Sequence, residues 1–277
     1  MDSTIHWYPG HMAKAKRQLN ELIKYLDVIL EIRDARVPLA SHNSDLEVIL
    51  KKRPNIVLLN KIDLADPKVT KAWKEWFNRQ DYPVIEVNGK NGAGTNQIWQ
   101  LLNTKYSPSG FRKSVRVGVV GIPNVGKSTI LNRLIGSGTA KTGNIPGITR
   151  GKQWIKKKGI EVLDMPGILP PKITDQDAGL KLALIGTIKE QLLPIYDLAL
   201  YLLEHYGEVI FRWNEAGIEV DSAELGLEWY ARKRGFLLKG GELDLNRAAT
   251  TLLQEFRNGR LGQISLEVPI MTAAQDD

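Results

Sequence analysis

Gly121-Ile122-Pro123-Asn124-Val125-Gly126-Lys127-Ser128 decides the fold. It fits G-x-x-x-x-G-K-[ST], a loop whose backbone N–H groups close around phosphates. Val115-Arg116-Val117-Gly118-Val119-Val120 predicts a buried strand entering the loop. Thr129 to Ile135 predicts a helix leaving it, with Ile130, Leu131, Leu134 and Ile135 at helical spacing. Strand, glycine loop, then helix brings the partial positive charge of a helix N-terminus to the phosphates. Lys127 would reach the β- and γ-phosphates, and Ser128 would ligate magnesium. Val125, Gly126 and Thr129 complete the phosphate-binding stretch. A plain glycine turn in a βα unit is the bland alternative, and the full motif with both flanks outweighs it.

Working back from that loop, Asn55-Ile56-Val57-Leu58-Leu59 predicts an apolar strand running into Asn60-Lys61-Ile62-Asp63. This is N-K-x-D, the element that reads guanine in GTPases. A carboxylate at Asp63 can accept from both the ring N–H and the exocyclic amine of guanine, a donor pair that adenine lacks. Asn60 helps hold the loops, and the Lys61 stem can cover the base. The tetrapeptide alone is weak, but at a strand end beside a P-loop it is strong. Val84-Ile85-Glu86-Val87 predicts another strand, followed by Asn88-Gly89. In GTPases a small-residue loop here touches the guanine oxygen through its backbone; an ordinary Asn-Gly turn reads almost as well.

Working forward, Gly143-Asn144-Ile145-Pro146-Gly147-Ile148-Thr149-Arg150 can order around a γ-phosphate and its magnesium, with Thr149 as the hydroxyl ligand. Gln153 to Ile155 and Ile160 to Leu163 predict a hairpin ending in Asp164-Met165-Pro166-Gly167, a D-x-x-G match. Asp164 would hold the magnesium shell, and the Gly167 N–H would face the γ-phosphate.

These parts come in an unusual order, because N-K-x-D precedes the P-loop. A parallel sheet tolerates this, since its strands can be cut and rejoined elsewhere without moving the site. The chain therefore reads as an α/β protein, a circularly permuted P-loop GTPase domain over residues 1–172. Its sheet should be mostly parallel with helices on both faces, followed by a small all-helical domain over 173–277. Trp7-Tyr8-Pro9-Gly10-His11-Met12-Ala13-Lys14-Ala15, Asp34-Ala35-Arg36 and Pro123-Asn124-Val125-Gly126-Lys127-Ser128 together resemble the ribosome biogenesis GTPase A family. The resemblance covers about residues 5–172 strongly and the rest by architecture. It implies GTP hydrolysis to GDP, coupled to late assembly of the large ribosomal subunit, and a C-terminal helical domain that helps bind rRNA. Many GTPases have Ser-Ala where this chain has Asn88-Gly89.

Many GTPases also place a glutamine after D-x-x-G to orient the attacking water. Ile168 stands there and cannot do so, so intrinsic hydrolysis should be slow. His11 is one replacement, because imidazole titrates near neutrality and can orient or deprotonate water; the resemblance points to it too. A turn-capping structural role is the competing reading. Asn124 resembles the asparagine that holds potassium in related GTPases, where the ion supplies an arginine finger's charge. The ribosome itself is a third source of activation.

Charge separates the halves. Residues 1–172 carry 28 Lys/Arg against 14 Asp/Glu, and residues 173–277 carry 10 against 17. A basic nucleotide-binding half suggests a polyanion, most simply nucleic acid, though a lysine-rich soluble surface accounts for charge alone. The C-terminal half should form helices over Ala178–Leu193, Ile195–Tyr206, Asp221 to about Arg234 (opened by a capping box) and from Asp244 to Gly259. If it touches RNA, Arg232-Lys233-Arg234, Arg247, Arg257 and Arg260 should do it. With no cysteine, there is no disulfide, zinc-thiolate or cysteine nucleophile. No membrane span or signal-peptide pattern is visible, so the expected place is the cytoplasm and the expected free state a monomer. A stiff Ile168-Leu169-Pro170-Pro171 linker should pass motion of Gly167 to the second domain. The competing function is a GTP-dependent switch on a non-ribosomal protein partner. A nucleotide-stabilised RNA-binding protein and a metabolic kinase fit less well.

Overall fold

Seven consecutive residues, Val28–Asp34, are buried, which happens when a strand sits inside a parallel sheet covered on both faces. The computed structural model describes residues 5–6, 10–106, 108, 113–136, 154–157, 159–165, 167–169, 172–173, 175–188, 193–213 and 220–270. In chain order the elements begin with β1 (Ile5–His6), α1 (Gly10–Leu22), β2 (Val28–Asp34) and α2 (Glu47–Leu50). Next come β3 (Asn55–Asn60), α3 (Pro67–Arg79), β4 (Val84–Glu86), α4 (Thr95–Lys105), β5 (Val115–Val120) and α5 (Lys127–Ile135). The hairpin β6 (Trp154–Lys157) and β7 (Ile160–Asp164) leads to β8 (Lys172–Ile173), α6 (Gln176–Leu184), α7 (Ile195–Phe211), α8 (Ala223–Arg234) and α9 (Leu245–Arg257).

Among the described residues the main sheet has six strands in the order β4-β3-β2-β5-β7-β6, all parallel except β6 against β7. Renumbering from the P-loop strand β5 and continuing from β7 to β2 turns this into 6-5-4-1-3-2. That is the unpermuted GTPase sheet, cut between its third and fourth strands. Circular permutation is therefore a property of the connections, and the strand positions are unchanged. A separate antiparallel pair joins β1 to β8, Ile5 opposite Ile173.

Alternate residues of the strands feed opposite faces. Leu30, Ile32, Leu58, Val117 and Val119 pack with Ile98, Leu102, Ile130 and Leu134 of α4 and α5. Ile29, Val120 and Leu163 pack with Leu19 and Leu22 of α1, and Val57 and Leu59 with Trp73 and Phe77 of α3. The α4/α5 core continues into α6–α9 without a break. Between α7 and α8 the Trp213 ring fills space left by two glycines: a Cβ on Gly207 or Gly226 would lie 2.6 Å from it. Among the described residues, no helix is long and apolar enough to cross a membrane.

The first helix runs from Gly10 to Leu22 and is followed by one 3-10 turn. Several expected boundaries move. The helix expected over Ala178–Leu193 stops at Leu184. Gly186 is left-handed (φ 77°), and the Arg257 guanidinium takes the carbonyls of Ala183 and Leu184, each at 2.8 Å. Gly186 thus closes α6 locally, its N–H bonding Ala183 O at 3.0 Å while Thr187 N bonds Leu182 O at 2.9 Å, and Arg257 of α9 adds a second, tertiary closure. The second helix runs on to Phe211. At α8 the N-cap is Ser222, whose Oγ accepts from Leu225 N at 3.3 Å, and at α9 it is Asp244, accepting from Arg247 N at 2.9 Å. The segment Gly143–Arg150 with Thr149, and Pro170-Pro171, lie outside the described residues.

Candidate guanine nucleotide site

The P-loop bends because two of its glycines cannot be anything else. Gly121 (φ 150°) passes Ile32 O so closely that a Cβ would lie 2.6 Å from it. Gly126 (φ 98°) would place a Cβ 2.2 Å from Asn60 Nδ2. Asn124 between them is also left-handed (φ 62°), a region Asn tolerates. The loop opens onto the start of α5, where Ser128 and Thr129 are exposed. Lys127 Nζ donates to Ile122 O at 2.8 Å, so the ammonium lies over its own loop. Gly167 meets it there: a Cβ on Gly167 would be 2.8 Å from Lys127 Nζ and 3.1 Å from Pro123 N. The D-x-x-G turn and the P-loop therefore converge.

The N-K-x-D segment ends β3, two strands from β5, and its side chains bridge the gap. Asn60 is 2% exposed. Its Nδ2 donates to Val125 O at 2.7 Å and its Oδ1 accepts from Gly89 N at 2.9 Å. One amide thus fastens the P-loop to the loop after β4. Lys61 Nζ donates to Asn124 O at 2.7 Å and pairs with Asp34 at 3.0 Å. Asp34 is fully buried and also pairs with Arg36 at 2.9 Å. Burial opposes ionisation of Asp34, but Arg36 and Lys61 outweigh it and hold the carboxyl well below the usual carboxylate range. Asp63 lines the same cavity, of about 570 Å³, and its carboxylate has no hydrogen-bond or ion-pair partner among the described residues.

Asn88 and Gly89 line the cavity as well, but much of their hydrogen bonding is already committed. Asn88 Oδ1 accepts from Lys90 N at 2.9 Å and Asn91 N at 3.2 Å, closing its own turn, while the Gly89 N–H goes to Asn60. Arg133 of α5, which sequence reasoning missed, donates to Gly89 O at 3.0 Å and also bonds Lys90 O. Asn124 Nδ2 reaches Gly186 O at 2.6 Å, so this loop side chain is turned toward the residues after α6. Ile168 is 4% exposed and packs in the α1 core, which removes it from any place beside an attacking water. His11 lies on α1 and Asp164 ends β7 beside Val119 of β5; their side chains, like all of Thr149, lie outside the described residues.

Asp34 and Arg36 are the other residues whose part was not read from chemistry. They belong to the quoted Asp34-Ala35-Arg36 triplet, and only the parallel pairing of β2 with β3, Asp34 opposite Asn60, brings them to Lys61.

Residues 116–222 match the family model for 50S ribosome-binding GTPases. A Bacillus licheniformis protein named Ribosome biogenesis GTPase A is 42% identical, the alignment covering 96% of this chain and 98% of that one. Two solved structures share the fold. A GDP-bound TM YlqF superposes with a TM-score of 0.70 at 33% identity, covering 91% of this chain and 99% of that one. A GNP-bound YlqF from T. maritima superposes with 0.68 at 34% identity, covering 93% and 99%. On likeness over nearly the full length of both partners, with a permuted GTPase sheet beneath it, this chain belongs to the ribosome biogenesis GTPase A family.

Proposed function

We propose that this GTPase of ribosome biogenesis acts as a checkpoint in late maturation of the large (50S) subunit. GTP favours a state that docks on the particle, and hydrolysis releases it. The observation that carries the site reading is the double stitch made by Asn60 and Lys61. They join a base-reading loop and a phosphate loop about sixty residues apart into one cavity. In this reading Asp63 accepts from guanine, Lys61 covers the base, and Asn60 holds the geometry. Asn88 and Gly89 shape the base side. Asn124 to Thr129 and Gly167 surround the phosphates, with Lys127 neutralising charge as it builds on the β–γ bridge.

Magnesium suits the oxygen donors gathered here: an exposed hydroxyl at the start of α5 (Ser128) and a carboxylate residue on the neighbouring strand (Asp164), with Thr149 as a third ligand. Bound there, the ion would supply positive charge that neutralises the phosphates. Asn124 is the candidate for holding potassium through its amide oxygen, since its Nδ2 is committed to Gly186. With Ile168 buried, the water must be oriented by His11 or by the particle, so hydrolysis is slow in the free protein and faster on the subunit. The GTPase domain spans 1–172 and the helical domain 173–277; the free protein is a cytoplasmic monomer. The basic GTPase half and the last two helices contact rRNA.

The test is multiple-turnover GTP hydrolysis in potassium and in sodium buffer, with and without purified large subunits. Stimulation by subunits supports the checkpoint, and potassium dependence supports Asn124. Clear GTP binding with no response to subunits would move the account to a switch on another protein partner.

A further inference from the structure

After α9 the chain turns back across the nucleotide-binding end of the sheet. Gly259 (φ 72°) packs so close to Leu64 that a Cβ would lie 2.6 Å from its Cδ2. From there five residues bond one loop and then another. Gln263 Nε2 reaches Asp63 O at 3.4 Å, Ile264 N donates to Leu64 O at 2.9 Å, and Ser265 Oγ accepts from Asp66 N at 3.1 Å. Leu266 N donates to Arg36 O at 2.9 Å. The Glu267 carboxylate accepts from Leu39 N at 2.7 Å and Ala40 N at 3.0 Å, and its carbonyl accepts from Trp73 Nε1 at 3.1 Å. The first loop follows β3 and carries Asp63. The second follows β2 and Asp34, the partner of Lys61. Arg36 is further braced from α9, its guanidinium 5.4 Å from the Phe256 ring centroid.

Asp63 has no side-chain partner among the described residues, so its backbone sets where its carboxylate points. That backbone is bonded to the strap at residues 63, 64 and 66. A carboxylate accepting two hydrogen bonds from one planar base depends strongly on direction. We infer that Ser265 and Glu267 are positioning residues for guanine recognition, so that the C-terminal strap completes the base site from behind. The inference rests on the reading of Asp63 as the guanine acceptor. Displacing α9 and its strap then loosens the base contact, which GDP and GTP share.

The discriminating probe is inosine diphosphate, which lacks the 2-amino group and offers Asp63 one donor instead of two. Affinities for GDP and IDP would be measured by calorimetry on full-length wild type, Ser265→Ala and Glu267→Gln. Circular dichroism would show that each is folded. Ser265→Ala removes a single hydroxyl bond and keeps the test usable if Glu267→Gln does not fold. Wild type should prefer GDP by about 5- to 150-fold, the value of one good bidentate base contact. Each folded variant should lose at least about threefold of that preference, as expected when one of the two bonds is weakened. A role in stability alone would lower the melting temperature and leave the ratio intact. Folded variants with an unchanged GDP:IDP ratio would overturn the inference. A wild type with no preference would overturn the Asp63 reading, and this inference with it.

Discussion

Replacing Asn60 by alanine removes the amide that ties the two permuted halves together. It makes two hydrogen bonds, at 2.7 Å to Val125 O and 2.9 Å from Gly89 N, and both partners are buried backbone groups. Each bond contributes about 1 kcal/mol net, and a buried backbone group left without a partner costs about 1–3 kcal/mol. Water entering through the adjoining cavity can satisfy part of that demand, so the loss should be about 2–4 kcal/mol. The assay is urea unfolding of nucleotide-free protein, with GDP affinity measured alongside. The midpoint should fall, and GDP should bind at least about tenfold more weakly, the equivalent of 1.4 kcal/mol. A second substitution tests the same geometry. Gly126→Ala would put a Cβ 2.2 Å from Asn60 Nδ2 and also holds an L-residue at φ 98°. The clash disappears once Asn60 is alanine, and only the backbone strain, about 1–3 kcal/mol, remains. Gly126→Ala should therefore cost less in the Asn60→Ala background than in wild type. Strict additivity of the two changes would refute the stitch.

Other consequences are open to test. Asp63→Asn presents one donor and one acceptor, which suits xanthine, so the variant should bind xanthosine diphosphate more tightly than GDP; an unchanged order of preference contradicts the base-reading role. Burial opposes ionisation of Glu31 and Asp34, but Arg33 and the His42 hydrogen bond at the first, and Arg36 with Lys61 at the second, hold both carboxyls well below the usual range. Depressed native values mean stability that is present above the unfolded value of about 4 and lost as pH falls below it. The stability gap between wild type and Asp34→Asn should accordingly be large at about pH 6 and smaller at about pH 3 in urea titrations. Gly207→Ala should destabilise the helical region by about 1–3 kcal/mol through overpacking against Trp213, visible as an earlier transition in tryptophan fluorescence. His11→Ala should reduce subunit-stimulated GTP hydrolysis while leaving GDP affinity near wild type, and equal loss of both would mark His11 as structural.

How much of this could be read from the chain depended on the range of the interactions. The P-loop strand, its helix, the N-K-x-D strand and the β6–β7 hairpin carry local signals: apolar runs, glycines at turns, and a helix start fixed by the loop itself. Their order along the chain also sufficed for circular permutation, because a parallel sheet constrains position more than connection. α3 carries local signals of the same kind, with Asp66 capping, Pro67 in its first turn, and Val69, Trp73, Trp76 and Phe77 recurring on one face at helical spacing. α6 was overrun although Gly186 marks its end locally, because Ile188 and Leu192 beyond it keep the helical spacing of the apolar residues; the Arg257 guanidinium, more than seventy residues away, reinforces that end. The same holds at the site. Asn60, Lys61, Asp63 and the loop residues stand out as motif letters, whereas Arg133, Asp34 and Arg36 act through contacts that only strand pairing and helix placement create. The strap is the extreme case. Ser265 and Glu267 lie about two hundred residues from their partners, in a short segment without periodicity or motif.

The central claim is that nucleotide state controls docking on the large subunit, and co-sedimentation tests it most directly. Purified subunits would be mixed with wild type or Lys127→Ala in the presence of a non-hydrolysable GTP analogue, GDP or no nucleotide, then pelleted and assayed for bound protein. The account predicts retention of wild type with the analogue, release with GDP, and weak retention of Lys127→Ala in every condition. Equal binding of wild type in all three nucleotide conditions would contradict it.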